Sequence, residues 1–216
     1  MFANRTEAGR QLAQSLGDHR DPRLLVLGLP RGGVVVAAEV ARALDSELDV
    51  VLCKKLRAPE NPELAIGAVS EGGEVFINAD VYEYLDVGKT FLEHEKQIRL
   101  DEMSRQVEAY RAVRPKASVF GRPVILVDDG LATGATMMAA IQSTAAGTPR
   151  SIVVAVPGGA SETAEKIERM REVDEVICLE HPSFFSGVGQ LYEDFAQVED
   201  EEVIRLLKTA SVSGTA

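Results

Sequence analysis

The chain has 216 residues, 45 % of them hydrophobic, with two cysteines and a formal net charge of −11. That length and apolar content supply one packed domain without disulfide staples, and the acidic balance repels a nucleic-acid backbone, so nucleic acid is not an expected partner. No run approaches ~18 apolar residues, and Met1 to Gly17 is amphipathic rather than a leader with an apolar centre, which points to neither export nor membrane insertion and to a cytoplasmic protein.

In chain order, Asn4 caps a helix that runs to about Leu16 and stops at Gly17. Leu24 to Leu27 is a short, fully apolar run, the pattern of a strand buried on both faces. The turn Gly28-Leu29-Pro30-Arg31-Gly32-Gly33 breaks it, a helix follows from Val34 to Leu44, and Leu48 to Cys53 is the next apolar strand. This βαβ order belongs to a parallel sheet with a right-handed crossover.

Lys54 to Glu63 is polar and carries Pro59 and Pro62, which predicts a mobile loop. Ala65 to Ser70 and Glu74 to Asn78 then read as a hairpin around Glu71-Gly72-Gly73. Lys89 to Val113 predicts a long charged helix whose narrow apolar stripe fits a structural role or a dimer surface.

Three more apolar strands are expected at Val124 to Val127, Ile152 to Val156 and Val176 to Leu179. Helices at Thr133 to Ala146 and Ser161 to Arg171 alternate with them. The sum is an α/β fold with a doubly wound, mostly parallel sheet, as a single domain with its core at about residues 20–180. The flexible β-hairpin loop covers 54–78, a small C-terminal hood covers about 181–197, Val203 to Leu207 is a last helix, and 211–216 is a disordered tail. Cys53 and Cys178 sit in apolar runs and read as free, buried thiols. His19, His94 and His181 form no metal spacing, and neither a G-x-S-x-G nor an H-E-x-x-H motif occurs.

The most informative stretch is Val124-Ile125-Leu126-Val127-Asp128-Asp129-Gly130-Leu131-Ala132-Thr133-Gly134-Ala135-Thr136. It is an apolar strand, two acids, and a small-residue loop that opens a helix. Such a loop lies outside the carboxyl end of its strand, where open α/β sheets bind ligands. Gly134 and Ala135 admit a close backbone approach, the first helical amides are unpaired, and Thr133 and Thr136 add hydroxyl donors, which together suit a phosphate. Asp128 and Asp129 stand one loop away and can accept hydrogen bonds from vicinal hydroxyls of a sugar. The loop lacks the Lys of a Walker A sequence, and the Gly28 to Gly33 turn lacks G-x-G-x-x-G spacing. A receiver-like domain would explain the two acids but not the Thr133 to Thr136 loop.

Four apolar residues, two acids, two further residues and then A-T-G-A-T resemble the 5-phosphoribosyl-1-pyrophosphate (PRPP) signature of type I phosphoribosyltransferases. The resemblance implies that Asp128 and Asp129 hold the ribose hydroxyls and their Mg2+, and that Ala132, Thr133, Gly134, Ala135 and Thr136 wrap the 5′-phosphate. Pro30, Arg31, Gly32 and Gly33 are similar to the family's pyrophosphate loop, where a cis peptide near Pro30-Arg31 would fit. Lys54, Lys55 and Arg57 resemble its flexible catalytic loop, so Asp128, Asp129, Arg31, Lys54 and Lys55 form the implied catalytic set. Phe185, Val188, Tyr192 and Asp194 fall in the place of the acceptor-gripping hood.

The implied activity is transfer of ribose 5-phosphate from PRPP to a nitrogenous base or amine with release of pyrophosphate, by a homodimer. A regulatory module that senses PRPP without transferring it is the alternative. Ala132 stands where many purine enzymes of the family carry an acid, which removes a side-chain acid/base role there and leaves the acceptor's identity open.

Overall fold

The computed structural model describes residues 1–61, 64–77, 79–85 and 87–210, the side chains of 79 and 80 excepted. The expected loop residues Pro62 and Glu63, the strand end at Asn78 and the tail 211–216 lie outside the described residues. Five strands form one parallel sheet: β1 (Leu25–Gly28), β2 (Glu47–Val50), β6 (Pro123–Val127), β7 (Ser151–Gly158) and β8 (Glu175–Glu180). Their spatial order is β2-β1-β6-β7-β8. The chain's progress across the sheet reverses between β1 and β6, and that is the switch point at which a doubly wound sheet opens a crevice at its carboxyl edge.

The period-2 alternation of these strands loads both faces. Val26, Ile125, Val127, Val153 and Ala155 pack with α1 (Arg5–Ser15), α2 (Gly32–Leu44) and α7 (Asp200–Thr209). Leu25, Leu27, Val124, Leu126 and Val154 face α5 (Ala135–Ala146) and α6 (Ser161–Glu168). A side chain so buried contributes roughly 1.5–3 kcal/mol, which makes these two layers the frame of the domain. Asn4 caps α1 as expected, accepting from the Glu7 amide at 3.0 Å.

The region expected to be a loop after the second strand is built differently. The main-sheet strand ends at Val50, and β3 (Cys53–Arg57) begins a separate sheet with β4 (Ala65–Ser70) and β5 (Val75–Ile77), antiparallel in the order β3-β4-β5. Lys54, Lys55 and Arg57 are therefore strand residues. Leu56 explains the difference, because it is fully buried with Ile66, Val69 and Met103 between this sheet and α4 (Lys89–Arg111), an anchor that a polar, lysine-rich string conceals. A short helix α3 (Ala79–Tyr84) follows the hairpin. Helix α5 starts two residues later than expected, so Thr133 and Gly134 belong to the loop before it. Both cysteines are free and only partly buried rather than core residues, although burial of the Sγ pushes Cys53 up to about 12 and Cys178 up to about 11. Among the described residues, no helix is long and apolar enough to cross a membrane.

Candidate active site

Two loops meet at the switch point. The first, Leu29 to Arg31, leaves β1 and enters α2, with a cis Pro30-Arg31 peptide. The second, Asp128 to Gly134, leaves β6 and enters α5. They are in contact: a Cβ added to Gly33 would stand 2.8 Å from Asp128 Cα and 2.9 Å from the Val127 carbonyl oxygen. Only glycine lets the two backbone segments approach this closely.

Neither α2 nor α5 has a side-chain cap at its N-terminus. The first amides of α5 are introduced by Gly134 at φ 72°, and Thr133 and Thr136 are exposed beside them. Unpaired amides and the positive end of a helix macrodipole favour an anion. The loop is held from behind, where Thr163 Oγ1 donates to the Ala132 carbonyl at 2.7 Å.

Asp128 and Asp129 follow β6 directly. The Asp129 amide donates to Asp128 Oδ1 at 2.8 Å. Burial, and after it the charge of Asp129, raises the Asp128 carboxyl well above the usual carboxylate range. Among the described residues, no cluster of three or more His, Cys, Asp or Glu could cage a metal. Two adjacent carboxylates suit instead a Mg2+ that keeps waters and takes its remaining oxygens from a phosphorylated ligand.

A cavity of about 630 Å³ runs from the Leu29 to Arg31 loop and the first turn of α5 to β3, lined among others by Arg31, Lys54, Lys55, Arg57 and Thr136. Four cations against one lining acid, Glu102, concentrate positive charge on a chain of net charge −11. One wall of the cavity is Glu102, Met103 and Gln106, so the long helix α4 is part of the pocket and not only a scaffold. The Arg31 guanidinium rests 3.5 Å from Glu199, and Lys54 Nζ lies 4.0 Å from Glu102.

The hood lies over the acid loop. Val188 Cγ1 lies 2.6 Å from where a Cβ on Gly130 would stand. Tyr192 is buried, donates its hydroxyl to the Asp129 carbonyl, and packs its ring on Phe2 and Phe195, so that in this structure it braces the acid loop. Phe185 is half-buried in the same small cluster. Asp194 is exposed at the rim, with its Oδ1 accepting from the Ala196 amide.

Sequence reasoning missed Arg5. From the first turn of α1 its Nε donates to Asp129 Oδ2 at 2.7 Å, and its guanidinium lies 3.9 Å over the Phe195 ring. The partners are 124 residues apart, and no local pattern marks the pair.

The model of the phosphoribosyl transferase domain family matches residues 3–193. Two Mycobacterium tuberculosis proteins that carry phosphoribosyl transferase as a provisional name, Rv0571c (strain H37Rv) and MT0597 (strain CDC 1551 / Oshkosh), are each 41 % identical over 210 residues. Those 210 residues are 97 % of this chain and 47 % of each relative, so the chain spans about half the length of the curated relatives it matches. The crystal structure of TT1426 from Thermus thermophilus superposes with a TM-score of 0.91 at 46 % identity, covering 98 % of this chain and 99 % of that one. Matched by the family along nearly its whole length, this chain belongs to the phosphoribosyl transferase domain family.

Proposed function

We propose that the protein transfers ribose 5-phosphate from PRPP to a nitrogenous base or amine and releases pyrophosphate. The observation that carries this reading is the meeting, at one switch point, of an acid pair, an uncapped amide loop and a cationic cavity. The loop from Ala132 to Thr136 receives the 5′-phosphate through the first amides of α5 and the two threonine hydroxyls. Asp129, and Asp128 behind it, accept hydrogen bonds from the ribose hydroxyls.

Arg31 and the amides of Gly32 and Gly33 hold the pyrophosphate, and Lys54 and Lys55 meet it from β3. Mg2+ bound with the donor would lower the charge of the polyanion and of its leaving group. The protein's part is positioning and stabilisation of the charge that develops as the anomeric bond breaks. Phe185, Val188 and Asp194 border the side from which an acceptor would enter.

The test is release of pyrophosphate from PRPP and Mg2+ across a panel of bases and amines. Asp129→Asn and Arg31→Ala are expected to lower turnover by ~10²-fold, the scale of removing one charge-stabilising group. Unchanged turnover in both variants defeats the assignment. Donor binding without pyrophosphate release for any acceptor would leave a sensing module in its place.

A further inference from the structure

The cationic cavity stops short of the acid pair. Its wall includes Leu29, Pro30, Arg31 and Thr136 but neither Asp128 nor Asp129. Arg5 sits on the acid pair. Its side chain and that of Asp129 are only 11 % and 14 % exposed, in a 2.7 Å ion pair. Nη1 donates to the Ala196 carbonyl at 2.8 Å, and the guanidinium covers Phe195. The same Nε is 2.9 Å from the place of a Cβ on Gly32, so Arg5 and the Asp129 carboxylate together fill the gap between the acid loop and the loop of Pro30 to Gly33.

Asp129 is the more available acid of the pair, because Asp128 Oδ1 already accepts from the Asp129 amide and the Asp128 carboxyl is poorly solvated. A sugar seated in this crevice would take Asp129, and Arg5 holds it. Resting on the donor-site reading above, we infer that Arg5 is the resident counter-ion of the acid pair and a determinant of donor affinity: the ribose hydroxyls and their cation take Asp129 in exchange for Arg5. Loading the donor then releases the first turn of α1 from Asp129 and loosens its hold on the segment at Phe195 and Ala196. The charge on Asp129 is compensated before and after the exchange, first by the guanidinium and then by the ligand's cation.

Calorimetric titration of the full chain with PRPP in excess Mg2+ reads the effect directly. Arg5→Met keeps an unbranched apolar stem against Phe195 and removes the competing charge. It is expected to bind about 10-fold more tightly, the factor that corresponds to the lower end of one charge-assisted hydrogen bond. Arg5→Lys, which restores a cation, is expected to return towards wild-type affinity, and Arg5→Gln serves in place of Arg5→Met should the latter not fold.

Hydrogen exchange supplies a second readout that a purely structural tie would not move. Amides of the first turn of α1 and of residues 194–196 are expected to exchange faster in wild type once PRPP is bound, and already faster in Arg5→Met without it. Equal or weaker binding by Arg5→Met, or donor-induced protection of those amides, overturns the exchange and leaves the donor site standing. Absence of heat in wild type and variants alike overturns the donor-site reading and this inference with it.

Discussion

Asp128 and Asp129 are adjacent in sequence and unlike in surroundings. Asp129 is paired with Arg5, whereas Asp128 is drawn above its ordinary value of 3.8, by burial first and by its neighbour's charge second. A carboxyl raised in the folded state gives stability that is fully present below that ordinary value and is lost as pH rises through the folded one. At neutral pH the buried Asp128 carboxyl is therefore a source of instability retained at a candidate functional site. Asp128→Asn keeps an oxygen for the Asp129 amide and does not titrate. It is expected to melt above wild type at pH 7. The difference should shrink towards zero as pH falls to about 3.5, and a constant difference across that range would show that titration of Asp128 is not its source.

At the scale of elements, the loop from Ala132 to Gly134 depends on how α5 begins. Gly134 has φ 72°, and a Cβ there would stand 2.6 Å from Thr163 Cγ2. Gly134→Ala combines left-handed strain of about 1–2 kcal/mol with a clash against α6. It is expected to lower the denaturation midpoint and to weaken binding of PRPP together, because the residue that aims the first amides of α5 also holds the loop in shape. Gly17→Ala, with nothing within 4 Å of the added Cβ, is expected to change neither.

This loop was legible in the sequence because its chemistry is local: strand, acids, glycine and helix follow one another in the single stretch from Val124 to Thr136. The edge of the second sheet was not. Lys54, Lys55 and Arg57 outweigh Leu56 in any count of polarity, yet Leu56 is fully buried under α4 and makes the segment a strand. Periodicity also left α4 as a scaffold, since Met103 and Gln106 reveal the wall they form only when β3 stands opposite them.

Over the whole molecule, the two sheets have to keep a fixed relation if cations on β3 are to face a loop that leaves β1. Arg111, the last residue of α4, spans them. Its Nη1 lies 2.7 Å from Asp49 Oδ1 on β2, its Nε and Nη2 reach Glu71 at the hairpin turn at 2.7 and 2.9 Å, and Nη2 also donates to the Val50 carbonyl. Asp49 is 1 % exposed and Glu71 8 %, so these are ion pairs shielded from solvent. Sequence alone could not have shown this clasp, because its partners are 62 and 40 residues from Arg111.

Removing one member of such a group leaves buried charge without a partner, which costs on the order of 3 kcal/mol. Arg111→Met is expected to lower stability by that amount. Because the main sheet keeps its own two-faced core, the loss should fall first on β3, β4 and β5. Their amides should gain hydrogen exchange by a larger factor than those of β1, β6 and β7. Arg111→Met with Asp49→Asn should recover part of the loss, since the buried charge of Asp49 is then gone, while Glu71 keeps Lys116 at 3.6 Å. An even gain of exchange across both sheets would mean that they unfold as one unit and that Arg111 does not couple two separable layers.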